Sequence, residues 1–240
     1  MKKIFYIGIT LTIISLLSCG EMNETVSPDA SSVYEADIEA ALQEIPAGEL
    51  SDTLETFLKY IREEEKLARD VYLFSFDKWE YFVFDRIAGS EQRHMDAVKL
   101  LLDRYGVEDP VGENAAGIFE NTDLQNLYQT LTVASSDSLT GALLVGAEIE
   151  EIDILDIMNA LPSFDEEDVQ LVLNHLLRGS YTHLKIYVKN LEANGIEYTP
   201  KHLAQEQFET ILTYTDNHRG RGRNHGNGRR HGRGRHGGTQ

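Results

Sequence analysis

The chain has 240 residues, with 22 Lys and Arg against 40 Asp and Glu, giving a formal net charge of −18. One cysteine in that length excludes a disulfide, a Cys-x-x-Cys redox pair and a thiolate metal site from the folded part. About 150 residues remain once the terminal segments are set aside, which suits one globular domain with a full apolar core.

Met1-Lys2-Lys3 and the apolar run Ile4 to Leu17 have the charged start, short apolar stretch and small-residue end of a secretory leader. The run is too short for a membrane span. It ends Leu16-Leu17-Ser18-Cys19-Gly20, which resembles the lipobox of bacterial lipoproteins. That resemblance implies a leader over residues 1–18, a lipid on the Cys19 sulfur, and anchoring to the periplasmic or cell-surface face of a bacterial membrane. Residues 19–48 are polar and read as a tether, with a short helix over Tyr34 to Ile45.

The folded domain is expected over 49–216 and to be all-α. Ser51 caps a first long helix running to about Phe76, with the apolar stripe Leu54, Leu58, Ile61, Glu65, Ala68, Tyr72. A carboxylate thus takes a core position, whereas Glu63 and Glu64 fall off the stripe and read as solvated. A second helix, Trp79 to Tyr105, carries Phe84, Ile87, Glu91, His94, Val98 and Leu101 at 3-4-3-4 spacing and stops at Gly106. Val107 to Asp137 is a long connection with a short helix around Leu124 to Leu131, long enough to let the flanking helices run parallel. Ser138 opens a third helix that Pro162 ends. One face reads Leu144, Glu148, Glu151, Leu155, Met158, and a competing face reads Ala142, Val145, Ile149, Ile152. The fourth helix, Asp165 to Asn194, presents Leu173, Leu176, Ser180, His183, Tyr187 and Leu191. A short extra helix over Pro200 to Tyr214 follows.

Residues 217–240 contain seven Arg, four His and no acid, so this segment is +7 and the rest is −25. Such composition reads as a disordered, solvated tail. Contact with nucleic acid, with an anionic surface, or with metal through its His are the sharper readings; for a lipid-anchored protein outside the cytoplasm, nucleic acid is the least favoured partner.

Glu65, Glu91, His94, Glu148, Glu151 and His183 therefore lie on core-facing stripes of four long helices. Burying several unpaired charges is costly, and four carboxylates carry the charge that two divalent ions balance. Glu65-Lys-Leu-Ala68-Arg-Asp-Val-Tyr72, Ile87-Ala-Gly-Ser-Glu91-Gln-Arg-His94 and Gly146-Ala-Glu148-Ile-Glu-Glu151 resemble the helices of rubrerythrin-type ferritin-like diiron proteins. The stretch Ser51 to Tyr198, with Arg178-Gly-Ser180-x-x-His183, is similar to a branch of that superfamily that is a domain of unknown function.

The resemblance implies a ferritin-like four-helix bundle with a long crossover between its second and third helices. It implies two metal ions, iron or manganese, bridged by Glu91 and Glu148, with Glu65 and His94 on one ion and His183 on the other. Ser180 stands where the family has a further carboxylate, and Glu151 could restore the ligand count. Tyr72, Ser180 and Tyr187 are candidates to surround the ligands. Reaction with dioxygen or peroxide follows, and with no cysteine-based redox domain it needs an external electron donor. A homodimer is compatible with this reading. The alternative is a non-catalytic metal-binding or interaction scaffold with the basic tail as its contact surface.

Overall fold

The computed structural model describes residues 30–215. The segment expected to be a leader, Cys19 and the Arg/Gly/His segment from 217 lie outside the described residues. Those that are described form seven α-helices and no strand: α1 (Ala30–Gln43), α2 (Asp52–Trp79), α3 (Phe82–Tyr105), α4 (Thr122–Ser135), α5 (Leu139–Ala160), α6 (Glu167–Ala193) and α7 (Gln205–Thr213). Among them no helix is long and apolar enough to cross a membrane.

The helix ends follow local chemistry. The Ser51 hydroxyl accepts from Leu54 N at 3.1 Å, and the Ser138 hydroxyl accepts from Gly141 N at 2.9 Å, each satisfying a donor that the first turn leaves open. Gly106 closes α3 with φ 68°, and Pro162 lies in a short 3₁₀ turn after α5. Only Glu80 and Tyr81 separate α2 from α3, so the two pack as an antiparallel hairpin; Glu80 adopts φ 50° to make the reversal.

The four long helices pack α2 on α3 and α5 on α6, and the two pairs meet through α2–α5 and α3–α6. Side-chain contacts give the directions. Tyr60 bonds Asp156 and Tyr72 bonds Glu150, so α2 and α5 run antiparallel. Tyr81 bonds Asn190 and Tyr105 bonds Asp168, so α3 and α6 do too. It follows that α3 and α5 are parallel, as the long connection between them allows. The stripes on α2, α3 and α6 are buried along their length, and each buried Leu, Ile or Phe contributes about 1.5–3 kcal/mol. The chain between 37 and 48 is less of a tether than its polarity suggests: Leu42 is buried, and Arg104 donates to the Leu42 and Ile45 carbonyls.

A second face of α2 holds the crossover. Arg62 pairs with Asp109, and the Glu63 carboxylate accepts from Glu120 N and Asn121 N. Lys66 and Asp70 form an ion pair with neither side chain exposed; Asp70 also accepts from Arg69 and Gly117 N, and Lys66 donates to Ala115 O. Glu63 is therefore buried rather than solvated, because the crossover covers it. Glu64 is buried as well, against α5.

Asp70→Ala strips the partner from a fully buried ammonium. It is expected to destabilise the domain by about 3–5 kcal/mol, measured by urea unfolding, while an exposed control such as Asp103→Ala shifts the midpoint little.

Candidate metal centre

At mid-height of the long helices their inner stripes stop being apolar. Glu65 from α2, Glu91 and His94 from α3, Glu150 from α5 and His183 from α6 converge there, all nearly fully buried. The Glu91 carboxylate is at the middle. Its Oε2 lies 2.8 Å from His94 Nδ1 and its Oε1 lies 2.8 Å from His183 Nδ1. Glu65 Oε2 is 3.2 Å from His94 Nδ1, and Glu150 Oε2 is 3.5 Å from His183 Nδ1. The arrangement is two-sided: Glu65 with His94 on one flank, Glu150 with His183 on the other, and one oxygen of Glu91 turned to each. The two imidazoles stack with centroids 5.4 Å apart.

Several of these atoms are unsatisfied. Both oxygens of Glu91, Oε1 of Glu65 and Nδ1 of His183 are buried without a hydrogen-bond partner among the described residues. They sit close to one another, yet not aligned as donor to acceptor. Ligands at right angles on one ion, each bonded at about 2.1 Å, stand about 3 Å apart, which is the spacing seen here. Glu91, His94 and His183 each offer an atom within 4.8 Å of the others, so the donor set fits a metal ion. It is an O/N set without sulfur, suited to iron, manganese or zinc.

The electrostatics are those of a dry site with excess negative charge. Burial pushes the Glu91 carboxyl up, but the His183 and His94 imidazoles outweigh it and hold the group well below the usual carboxylate range. Burial alone would lower His183, and Glu91 and Glu150 reverse that, pushing it up to about 10. His94 is raised in the same way by Glu65 and Glu91. Burial and the Glu91 charge raise Glu150 to about 7. Glu65 is raised chiefly by burial.

Glu148 and Glu151 are not in this cluster. Both had been expected on the inner face of α5, and both are on the far side of it. Glu148 is half-buried and bonds Lys201 Nζ at 2.6 Å. Glu151 is buried and accepts from the backbone N–H groups of Lys201, His202 and Leu203 and from the Tyr198 hydroxyl. The segment leading to α7 wraps over that side, so α5 is buried on more than one face. The inner line is Leu143, Ala147, Glu150, Ile154, Ile157, at 4-3-4-3 spacing, and it coincides with neither of the two faces read from the sequence.

Asp153, one turn beyond Glu150, was missed altogether. The Ser180 hydroxyl donates to its Oδ2, while its Oδ1 is buried and unpartnered. Ser180 thus holds a carboxylate from α5 where α6 has none of its own. Burial and the charges of Glu65 and Glu150 raise this group well above its usual range. The Tyr72 hydroxyl donates to Glu150 Oε1 at 2.6 Å, and the ring of Tyr187 packs beside Tyr72 with centroids 5.3 Å apart. Two glycines make room: a methyl at Gly146 would lie 2.4 Å from the Tyr187 ring, and one at Gly179 would lie 2.2 Å from His94 Nε2.

These features define an all-helical protein with a buried carboxylate–imidazole group able to bind metal. The chain belongs to the family described as an uncharacterized protein domain (DUF2202), which matches residues 55–215. It is 40% identical over 182 residues to uncharacterized protein MJ0754 of Methanocaldococcus jannaschii, covering 76% of this chain and 98% of that one. It is likewise similar to the crystal structure of hypothetical protein MJ0754 from Methanococcus jannaschii DSM 2661. There the TM-score is 0.70, over 71% of this chain and 98% of the other.

Gly179→Ala drives a methyl onto the His94 ring. The expected result is a loss of about 1–3 kcal/mol in thermal unfolding and a shift of the His94 imidazole resonances, with the Tyr81 end of α3 unaffected.

Proposed function

We propose that α2, α3, α5 and α6 form a ferritin-like four-helix bundle holding two divalent ions, iron or manganese, that react with dioxygen or peroxide. The observation that carries this is the Glu91 carboxylate, with one oxygen at 2.8 Å from an imidazole of α3 and the other at 2.8 Å from an imidazole of α6. Glu91 would thus help to hold an ion together with the imidazole on either side of it. Glu65 and His94 complete one flank, Glu150 and His183 the other. Asp153, steadied by Ser180, supplies the fourth carboxylate through its unpartnered Oδ1. Four carboxylates then balance two divalent charges. The role expected of Glu148 would pass to Glu150, on the inner line of α5, and to Asp153, three residues further along.

Bound iron or manganese supplies the electron transfer to oxygen species that carboxylate and imidazole groups cannot perform. The protein's own contribution is positional. Tyr72 fixes Glu150 by one oxygen and leaves Oε2 facing His183. The close approach of Gly179 to the Nε2 edge of His94 sets that ring so that Nδ1 points inward. Tyr187 packs beside Tyr72, and Phe84 packs beside Tyr187, placing buried rings at one end of the site. Electrons for repeated turnover come from an external donor. The lipid on Cys19 would hold the domain at the outer face of a membrane.

Anaerobic titration of the full chain with ferrous iron tests this. The chain should take up two ions that Glu91→Ala does not, the comparison cancelling any ions bound by the tail histidines. Exposure to oxygen should then change the near-ultraviolet absorption of the first protein only. Glu148→Ala should retain both ions, since Glu148 faces Lys201. Equal iron in Glu91→Ala and the parent chain would remove the assignment, and a bound metal that is silent to oxygen and peroxide would favour the scaffold reading.

A further inference from the structure

The imidazole of His94 is held by more than the carboxylates at its Nδ1. Against the rest of the ring α6 presents three positions one turn apart on one face, His175, Gly179 and His183, at i, i+4 and i+8. The His183 ring stacks on His94, with centroids 5.4 Å apart and planes at 30°. The His175 ring meets His94 edge-on, with centroids 5.6 Å apart and planes at 88°. Between the two, a Cβ built on Gly179 would lie 2.2 Å from His94 Nε2 and 2.5 Å from its Cε1. One helix thus offers a ring, a stretch of bare backbone and a second ring, and His94 fills the slot that they bound.

His183 belongs to the proposed ligand set, and His175 does not. Among the described residues, the ligand atoms within 4.8 Å of one another come from Glu91, His94 and His183. His175 stands outside that group, although it is only 5% exposed. Burial, reinforced by the charges of His94, Arg178 and Arg93, lowers it to about 3. At neutral pH it is an uncharged ring that adds no repulsion to a cation arriving beside His94.

An imidazole turns easily about its last side-chain bond, where the torsional wells are broad. A working ligand has to be held within about 10–20° of its productive orientation, so neighbours must supply the constraint. Glu65 and Glu91 fix the position of Nδ1, at 3.2 and 2.8 Å. Two contacts at a single atom still let the ring plane swing about that atom. Flat groups packed against the ring set the plane, and the slot provides them. Its His183 wall would itself turn toward an ion, whereas the His175 wall takes no part in ligation.

We infer that His175 is a positioning residue of the centre: its ring, together with Gly179, holds the plane of His94 so that Nδ1 is presented to an ion at Glu91. This rests on the metal-binding reading above.

The test titrates the full chain with cobalt(II) and follows the visible absorption of the bound ion, which reports the arrangement of its ligands. Glu91→Ala, measured alongside, gives the background from the tail histidines. His175→Leu removes the flat ring but keeps a bulky apolar group; it should weaken cobalt binding about tenfold or more and alter the spectrum. His175→Phe restores a flat ring without nitrogen and should return both to those of the parent chain. Parent affinity and spectrum in folded His175→Leu overturn the role, even if the metal-free protein melts earlier, since that marks a packing residue. A His175→Phe variant that behaves like His175→Leu also overturns it, by placing the effect in the imidazole nitrogens. If His175→Leu does not fold, His175→Phe decides: the parent spectrum upholds the role and an altered one removes it. Cobalt binding in Glu91→Ala equal to that of the parent would instead overturn the centre, and the role of His175 with it.

Discussion

The cost of burying carboxylates around Glu91 governs this structure. Glu65, Glu91, Glu150 and Asp153 share a buried interior with the imidazoles of His94 and His183, and His175 packs edge-on against His94. A buried charge left uncompensated costs several kcal/mol, and a domain has only about 5–15 kcal/mol of net stability. Protons on the imidazoles and carboxyls, or cations, have to make up the difference. The chain does carry buried cations, but it spends them elsewhere: Arg62 and Lys66 point away from the centre and hold the crossover. One helix, α2, thus serves the centre on one face and the connection on another. This accounts for most of Glu64-Glu-Lys-Leu-Ala-Arg-Asp-Val-Tyr72, in which a single position, Glu65, belongs to the proposed ligand set.

The helices and three of the four inner faces were legible in the sequence. Ser51, Ser138, Gly106 and Pro162 mark helix ends by chemistry local to each, so neighbours along the chain suffice to read them. On α2, α3 and α6 the outer faces are polar enough that only one stripe is apolar, and Glu65, Glu91, His94 and His183 fall on it. α5 was not legible in the same way. It is apolar on most sides, since α2, α6, α4 and the Tyr198–Leu203 segment all cover it. Periodicity names an inner face only when an outer one exists. The partners that make Glu151 a structural residue lie some fifty positions further along, beyond the reach of any pattern within the helix. Glu63 and Glu64 were misread for a related reason: what covers them comes from the crossover and from α5.

Ser180 shows how a departure in one helix can be answered from another. At the height of Glu91 α6 offers a hydroxyl, and that hydroxyl is bonded to an acid from α5. The carboxylate beside Ser180 thus comes from a neighbouring helix. No pattern within α6 points to Asp153; only the packing of α5 on α6 brings it beside Ser180. The two glycines belong to the same economy of space, because Gly146 and Gly179 let aromatic and imidazole rings lie against helix backbone where any side chain would hold them off.

The groups that converge on Glu91 are drawn from positions between 65 and 183, on four helices. No two helices alone bring all of them together, so the cluster does not exist in an unfolded or partly folded chain. An ion bound there would therefore act as a clamp on the whole domain, adding stability in proportion to the logarithm of its free concentration. Scarcity of that ion would be felt first as lower resistance to proteases and heat, and the protein's abundance would track the metal supply of the compartment in which it folds.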